Sequence, residues 1–373
     1  MKTLIRIVAD LVVIGLVALV AIIFVPVQRT APTEKLAADW QPPAELGEYG
    51  ARLADCAVCH TKPGGEPFAG GHTIESPMGD IYTTNITPDP ETSIGKWSLD
   101  DFRAALIDGV TPSSEHLYPA MPYENYRHIS EADIRALYDY FMHDVKPVTN
   151  QVAETKLPFP FNQRWGIRLW NWVVLGHAGF KPATDKVAND EQLSHGAYLM
   201  QVLGNCGSCH TPRGLTMAQA GANETDAKFL TGGEIGGWST PNLRGPKSAS
   251  QQWSADELKM YLTAGRNAHS AVAGEMKLAV QESLQYINEK DAAMVSYLLC
   301  TRSAPTVRLP PTRRQRPQTR RTTPLPASMR RMMPPRRNCA ARSTSRQANG
   351  STWTIAVPVT LPTDAGRLRS SRR

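Results

Sequence analysis

The chain has 373 residues, with 41 Lys and Arg against 34 Asp and Glu and a formal net charge of +7. Residues 301–373 hold seventeen Arg and one acidic residue, a net of +16, which leaves residues 1–300 acidic, with a net of −9. This distribution argues against a nucleic-acid-binding protein, and six Cys are too few for a disulfide-stapled scaffold.

Residues 1–30 have the pattern of a membrane segment. Lys2 and Arg6 precede seventeen uncharged residues, 11–27, which as a helix would be about 26 Å long. We expect an uncleaved transmembrane anchor, with a cleaved export signal as the alternative. The positive residues place the N-terminus inside and the body outside, which in a bacterium is the periplasmic side of the cytoplasmic membrane.

Residues 45–150 are predicted to form a first helical unit. A helix over residues 46–59 leads into Cys56-Ala57-Val58-Cys59-His60. A second helix is expected over residues 98–109, because Ser at its start, acidic residues in its first turn and Gly at its end are typical helix signals. A third begins near Ser130, with apolar residues at helical spacing: Ile134, Leu137, Tyr138 and Phe141.

Residues 151–188 form a linker rich in Pro and Trp, including Trp165, Trp170 and Trp172. We expect the apolar face of this linker to pack between the flanking units. The alternative is that it lies on the membrane surface.

Residues 189–300 repeat the first unit. Cys206-Gly207-Ser208-Cys209-His210 is the second copy of a motif for which chance predicts about 0.002 copies at this composition. Further pairs, among them Asn85 with Asn242, keep offsets between 150 and 158. Helices are expected over residues 193–209 and 254–265 and from Asn288. No alternating strand pattern is evident. The prediction is an all-α fold with two tandem domains behind the N-terminal anchor.

Residues 301–373 form an Arg- and Pro-rich tail without Lys or periodicity. We expect this tail to be disordered, or to result from a shift of reading frame near codon 300.

The Cys-x-x-Cys-His spacing is that of covalent haem attachment. Cys56, Cys59 and His60 share one helix face, so two thiols can form thioethers with the vinyl groups of a haem while the imidazole meets the iron. Cys206, Cys209 and His210 repeat this arrangement. The alternatives are a zinc site shared by the two Cys pairs and a thioredoxin-like dithiol.

A six-coordinate haem needs a ligand on its other face, and the repeat offers one Met in each unit. Met121 lies between prolines in Tyr118-Pro119-Ala120-Met121-Pro122, and Met276 occupies the matching place in the second unit. His116 and His269, which lie shortly before these Met residues, are the competing ligands.

The chain resembles the multi-haem cytochrome c subunits of bacterial membrane-bound alcohol, aldehyde, sorbitol and gluconate dehydrogenases. This resemblance covers about residues 45–299 and implies cytochrome c domains that pass electrons to ubiquinone or a terminal oxidase. Such subunits usually carry a third motif, which by spacing should begin near residues 335–355, where only Cys339 is found. The segments that carry the resemblance are residues 55–61, 67–71, 84–89, 117–123, 136–142 and 206–214.

We therefore expect a membrane-bound electron-transfer subunit with two covalent haem c groups and no catalytic residue of its own. The iron ligands would be His60, Met121, His210 and Met276. Expected partners are a dehydrogenase catalytic subunit of flavin, quinoprotein or molybdenum type, a quinone or terminal oxidase, and the membrane. A dihaem peroxidase, which needs an open sixth iron site, and a zinc-bound interaction module are the rival functions.

Overall fold

Short α-helices joined by long loops make up most of the computed structural model, which describes residues 2–25, 27–37, 39–245 and 247–301. The mainly helical fold predicted from the sequence is confirmed. In chain order the helices are α1 (Lys2–Phe24), α2 (Leu46–Leu53), α3 (Cys56–His60), α4 (Leu99–Asp108), α5 (Tyr123–Tyr126), α6 (Glu131–Asp139), α7 (Trp165–Val174), α8 (Asp185–Ala188), α9 (Glu191–Tyr198), α10 (Gly207–His210), α11 (Ala249–Gln252), α12 (Ala255–Ala264), α13 (Glu275–Glu282) and α14 (Glu289–Thr301).

Two small antiparallel hairpins interrupt the helices, although no alternating strand pattern is evident in the sequence. β1 (Thr73–Ile74) pairs with β2 (Ile81–Tyr82), and β3 (Gly233–Ile235) pairs with β4 (Trp238–Thr240). Strands of two or three residues are too short for an alternating pattern to develop. The two hairpins occupy the same place in the two sequence repeats, between the Cys-x-x-Cys-His motif and the next capped helix.

The predicted helices α4 and α12 begin and end in the same way. The Ser98 hydroxyl accepts from the Asp101 N–H, and the Asp101 carboxylate accepts from the Ser98 N–H. Ser254 and Glu257 form the same capping box at α12. Both helices end at a glycine with positive φ, Gly109 and Gly265.

The helix predicted to run into each Cys pair is broken before the first Cys. α2 ends at Leu53, and Asp55 adopts a left-handed conformation with φ 54° before α3 begins. In the second unit, Asn205 has φ 30° at the matching place, after a π-helical turn over Leu199–Leu203. Asp and Asn tolerate positive φ better than most other residues, so both breaks fall where the sequence allows them.

The apolar core is continuous between the two repeats, and all described residues belong to one compact unit. Ile134 and Leu137 of α6 and Val202 and Leu298 of the second repeat are members of the same buried cluster. The repeats are thus packed together, and the predicted domain boundaries at residues 150 and 189 stay predictions.

α1 is 23 residues long and apolar enough to cross a membrane, a property that export signals share. The tail predicted to be disordered, residues 302–373, lies outside the described residues, as does the position where a third motif was expected.

A hydrogen-bond cluster around the buried side chain of Asp291 joins the two repeats. The Tyr49 hydroxyl of α2 donates to Asp291 of α14 at 2.6 Å, and His195 Nε2 lies 2.9 Å from the other carboxylate oxygen. Burial alone would raise the pKa of Asp291, but hydrogen bonds from His195, Tyr49 and Asn288 hold that pKa below its ordinary value.

We predict that Asp291→Asn lowers stability at neutral pH and that this loss shrinks in acid. A carboxyl whose pKa is lowered by folding stabilises the protein above its unfolded pKa of about 4, and this contribution is lost as pH falls through the folded pKa. Thermal unfolding of both proteins, followed by circular dichroism from pH 3 to pH 7, tests this. A difference in melting temperature that stays constant over this range would contradict the assignment.

Candidate functional site: the two Cys-x-x-Cys-His motifs

The thiols of the motifs are held on short helices and partly withdrawn from water. Cys56 and Cys59 lie on α3, while Cys206 is the residue before α10 and Cys209 lies within it. Burial raises the pKa of Cys56 and of Cys59 to about 12, and the pKa of Cys209 to about 11. These thiols are therefore protonated at neutral pH, the form in which S–H adds across a vinyl double bond.

Each motif histidine is oriented by a backbone carbonyl. His60 Nδ1 lies 2.6 Å from the Thr84 carbonyl oxygen, and His210 Nδ1 lies 2.9 Å from the Pro241 carbonyl oxygen. Because a carbonyl only accepts, Nδ1 carries the proton in both rings. Burial lowers the pKa of both histidines, which favours the neutral imidazole and leaves the Nε2 lone pair as a metal ligand.

Two asparagines at equivalent positions of the two repeats hold the segments that carry the accepting carbonyls. The Asn85 side-chain oxygen accepts from the Thr87 N–H at 3.0 Å, and that of Asn242 accepts from the Arg244 N–H at 2.7 Å. These turns fix the chain just after Thr84 and Pro241. Sequence reasoning paired Asn85 with Asn242 but gave neither a role, because their partners are backbone atoms.

The threonine after each motif histidine accepts a hydrogen bond from the loop that follows the motif. The hydroxyl of Thr61 accepts from the Phe68 N–H, and that of Thr211 accepts from the Leu230 N–H, both at 3.0 Å. Phe68 and Leu230 both have positive φ, at 60° and 57°. These residues were missed by the sequence analysis, although their equal places in the two repeats were a usable signal.

The two motifs lie next to each other. Burial raises the pKa of the Asp55 carboxyl to about 7, and its charge raises the pKa of Cys56, Cys59 and also Cys209 of the other motif. The Tyr126 hydroxyl donates to the Ala54 carbonyl at 2.5 Å and accepts from the Asn205 side-chain amide at 3.5 Å, so it links the residues that precede the two motifs.

The two candidate methionines occupy matching places in the chain. The Leu117 N–H donates to the Gly109 carbonyl, and the Val272 N–H donates to the Gly265 carbonyl, both at 2.8 Å, so Leu117 and Val272 occupy equivalent positions. Met121 and Met276 each lie four residues further along the chain and are therefore equivalent too. Both methionines are partly buried. Their settings differ, because Met121 lies in the loop before α5 and Met276 in the first turn of α13. α13, which carries Met276, packs against α3 of the first motif.

The competing histidines are engaged elsewhere and do not match each other. When the repeats are aligned on Leu117 and Val272, the residue equivalent to His116 is Ala271. His116 is buried, and its ring faces the Asn171 amide at 3.5 Å. His269 Nε2 lies 2.8 Å from the Glu257 carboxylate, and its ring stacks on Trp253.

The donor set in each motif fits a haem c group: two thiols at Cys-x-x-Cys spacing and a neutral imidazole with Nε2 available. The orientation of both histidines by a carbonyl is an arrangement common to metal-ligating imidazoles. A zinc site needs about four converging ligands, and the described residues contain no group of three or more His, Cys, Asp or Glu arranged to hold a metal ion.

Several curated proteins are similar to this chain. The gluconate 2-dehydrogenase cytochrome c subunit of Pantoea cypripedii is 43% identical over 258 residues, 68% of this chain and 58% of the relative. The fructose dehydrogenase cytochrome subunit of Gluconobacter japonicus is 39% identical over 274 residues, which is 72% of this chain and 55% of the relative. A diheme cytochrome c-type protein of Cereibacter sphaeroides is 33% identical over 265 residues, which is 68% of this chain and 84% of the relative. No family model matches the chain.

A helical chain with two such motifs, similar over this length to a diheme cytochrome, has the defining features of a c-type cytochrome. The chain belongs to the c-type cytochromes, the family of its Cereibacter sphaeroides relative. More narrowly, it is similar to dehydrogenase cytochrome c subunits, as its sequence predicts. The named relatives of that kind are cytochrome subunits rather than catalytic ones. The chain spans little more than half the length of the gluconate and fructose dehydrogenase relatives.

We predict that Gly70→Ala disrupts the first motif. Gly70 has φ +73° and donates its N–H to the His60 carbonyl, and a Cβ there would lie 2.4 Å from the Thr84 carbonyl carbon. The segment that orients His60 must move, so we expect a loss of about 3 kcal/mol or more in the free energy of unfolding. Guanidinium unfolding of the haem-loaded protein measures it.

Gly64→Ala is the matched control. Gly64 has nearly the same φ, +71°, but nothing lies within 4 Å of an added Cβ. This variant bears only the cost of positive φ, about 1 kcal/mol. Equal losses for the two variants would show that the close approach to Thr84 is unimportant.

Proposed function

We propose that this chain is the electron-transfer subunit of a dehydrogenase complex and that it carries two covalent haem c groups. The observation that supports this most directly is the repeated pairing of a Cys-x-x-Cys-His motif with a carbonyl-oriented histidine. The relatives with 39–43% identity are cytochrome subunits of gluconate, fructose and alcohol dehydrogenases, which supports a dehydrogenase catalytic subunit as partner.

Each haem would supply one-electron exchange between Fe(III) and Fe(II). The thiols of Cys56 and Cys59 would hold the first porphyrin, and His60 Nε2 and Met121 would ligate its iron. Cys206, Cys209, His210 and Met276 would serve the second. The carbonyl of Thr84 or Pro241 accepts the Nδ1 proton of its histidine, which fixes the imidazole plane and increases the basicity of Nε2.

We include Met121 and Met276 as iron ligands because they occupy equivalent positions in the two repeats. Met ligation raises the reduction potential relative to a second His, which suits an acceptor of electrons from a dehydrogenase. The matching position of Met121 and Met276 supports two closed, six-coordinate haems. A peroxidase needs an open iron site, so this register speaks against that rival.

The architecture completes the proposal. We infer two cytochrome c domains, residues 45–150 and 189–300, held by α1 to the periplasmic face of a bacterial cytoplasmic membrane. The length and composition of α1 support an anchor. Electrons would leave the chain for a quinone or a terminal oxidase in that membrane.

Haem content tests the proposal. We predict that the matured protein has an intact mass two haems above that of its polypeptide. Cys56→Ala/Cys59→Ala should remove one haem and Cys206→Ala/Cys209→Ala the other, because each motif attaches its own group. Val58→Ala, which changes one of the two residues between the first pair of thiols and leaves all four thiols in place, is the control and should retain both haems. A mass equal to that of the bare polypeptide would overturn the proposal.

The ligand assignment is tested by spectroscopy. We predict that Met121→Leu removes about half of the weak sulfur-to-iron absorption at the red edge of the visible spectrum and lowers one of the two reduction potentials. Met142→Leu is the matched control, because Met142 has no counterpart in the proposed ligand set. If His116→Ala, rather than Met121→Leu, changes the haem spectrum, the first haem has two His ligands.

A further inference from the structure

α7 has its polar side buried and its apolar side exposed, the reverse of a helix on a water-soluble surface. Arg168 and Asn171 face inward, each 8% exposed. Leu169, Trp172 and Val173 face outward, with Trp172 63% and Val173 76% exposed. Helices at a protein–water boundary place their charged side outside. The exposed side of α7 therefore suits an apolar environment.

The inward side is held by specific hydrogen bonds, so this orientation is built into the fold. Asn171 donates to the Asp108 carbonyl at 3.1 Å and accepts from the Tyr123 hydroxyl at 3.0 Å. The indole N–H of Trp170 donates to the Thr216 carbonyl at 2.7 Å. Rotating α7 to bury Trp172 would break all three bonds at a cost of about 1 kcal/mol each.

Arg168 attaches α7 to the end of α1. Its guanidinium donates to the carbonyls of Ile22 at 2.9 Å and of Val25 at 2.5 Å. The last carbonyls of a helix have no partner within the helix, and in a membrane they need one. α1, at 23 residues, is about 35 Å long, enough to bring its end to the bilayer interface. α7 lies beside that end.

Three further apolar side chains, which precede α7 in the chain or adjoin a residue that α7 bonds, are also exposed. Phe159 and Phe161, which precede α7, are 79% and 49% exposed. Leu215 is fully exposed and adjacent to Thr216, the residue that Trp170 bonds. Aromatic residues concentrated at one level are typical of the boundary between lipid headgroups and acyl chains.

We propose that the exposed side of α7, together with Phe159, Phe161 and Leu215, lies in the interfacial layer of the phospholipid bilayer. It gives the body a second membrane contact beside α1 and fixes the orientation of the two motifs relative to the membrane. The lipid surface is the occupant because this apolar face adjoins the end of the apolar helix α1. The inference rests on the membrane attachment proposed above.

Photolabelling of the full, haem-loaded chain tests this. The protein is reconstituted in phosphatidylcholine and phosphatidylglycerol vesicles that contain a phospholipid with a diazirine near the headgroup end of one acyl chain. After irradiation and proteolysis, we expect the peptide that contains α7 to be labelled about tenfold more than the peptide that contains Trp238. Trp238 is the internal control, because it is 52% exposed and lies in the β3–β4 hairpin.

Matched variants sharpen the test. Trp172→Gln/Val173→Gln should reduce labelling of the α7 peptide to the level of the Trp238 peptide, with the haem spectrum unchanged. Trp238→Gln should leave labelling of α7 as it was. An α7 peptide without label in vesicles where α1 is labelled would overturn the inference.

Other outcomes separate this inference from the proposed function. If Trp172→Gln/Val173→Gln converts a dimer in detergent to a monomer and α7 takes no label, the face binds a second copy and the inference fails. Label on α7 without label on α1 would keep the lipid contact and reject the anchor. A sample without haem that still labels at α7 would reject the proposed function alone.

Discussion

The hydrogen bond between each motif histidine and a distant carbonyl is the constraint on which the site depends. A Cys-x-x-Cys-His motif provides thiols and an imidazole on one face of a short helix, but the imidazole can still rotate and change tautomer. The Thr84 and Pro241 carbonyls remove that freedom, because each accepts the Nδ1 proton. Asn85 and Asn242 then hold the segments that carry those carbonyls. An ordered chain of contacts thus leads from an asparagine side chain to a ligand nitrogen.

The two repeats share one apolar core, and this decides how the two motifs are arranged. Asp55 and Asn205, in left-handed conformations, turn the chain sharply between the preceding helix and the first Cys. Cys59 and Cys209 lie in one partly buried region, where the charge of Asp55 raises the pKa of both thiols.

The linker contributes differently from our expectation of simple packing between the repeats. One side of α7 does pack inward, since Asn171 bonds residues of the first repeat and Trp170 bonds a loop of the second. Its other side remains apolar and exposed, with Trp172 on the outside. A single short helix therefore joins the body to α1 and presents a surface suited to lipid. The polar side chains of α7 face inward because their hydrogen-bond partners lie inside the protein.

Features that depend on residues close together in the chain were predictable without a structure. Cysteine spacing, the capping boxes of α4 and α12 and the internal repeat all rest on contacts within a few positions, and the relatives confirm the family that these motifs indicate. Three other features are visible only in the folded chain: the carbonyl that orients His60, the packing of α13 against α3, and the side of α7 that faces outward. These features depend on backbone atoms and residues far apart in the chain, and no local pattern encodes such partners.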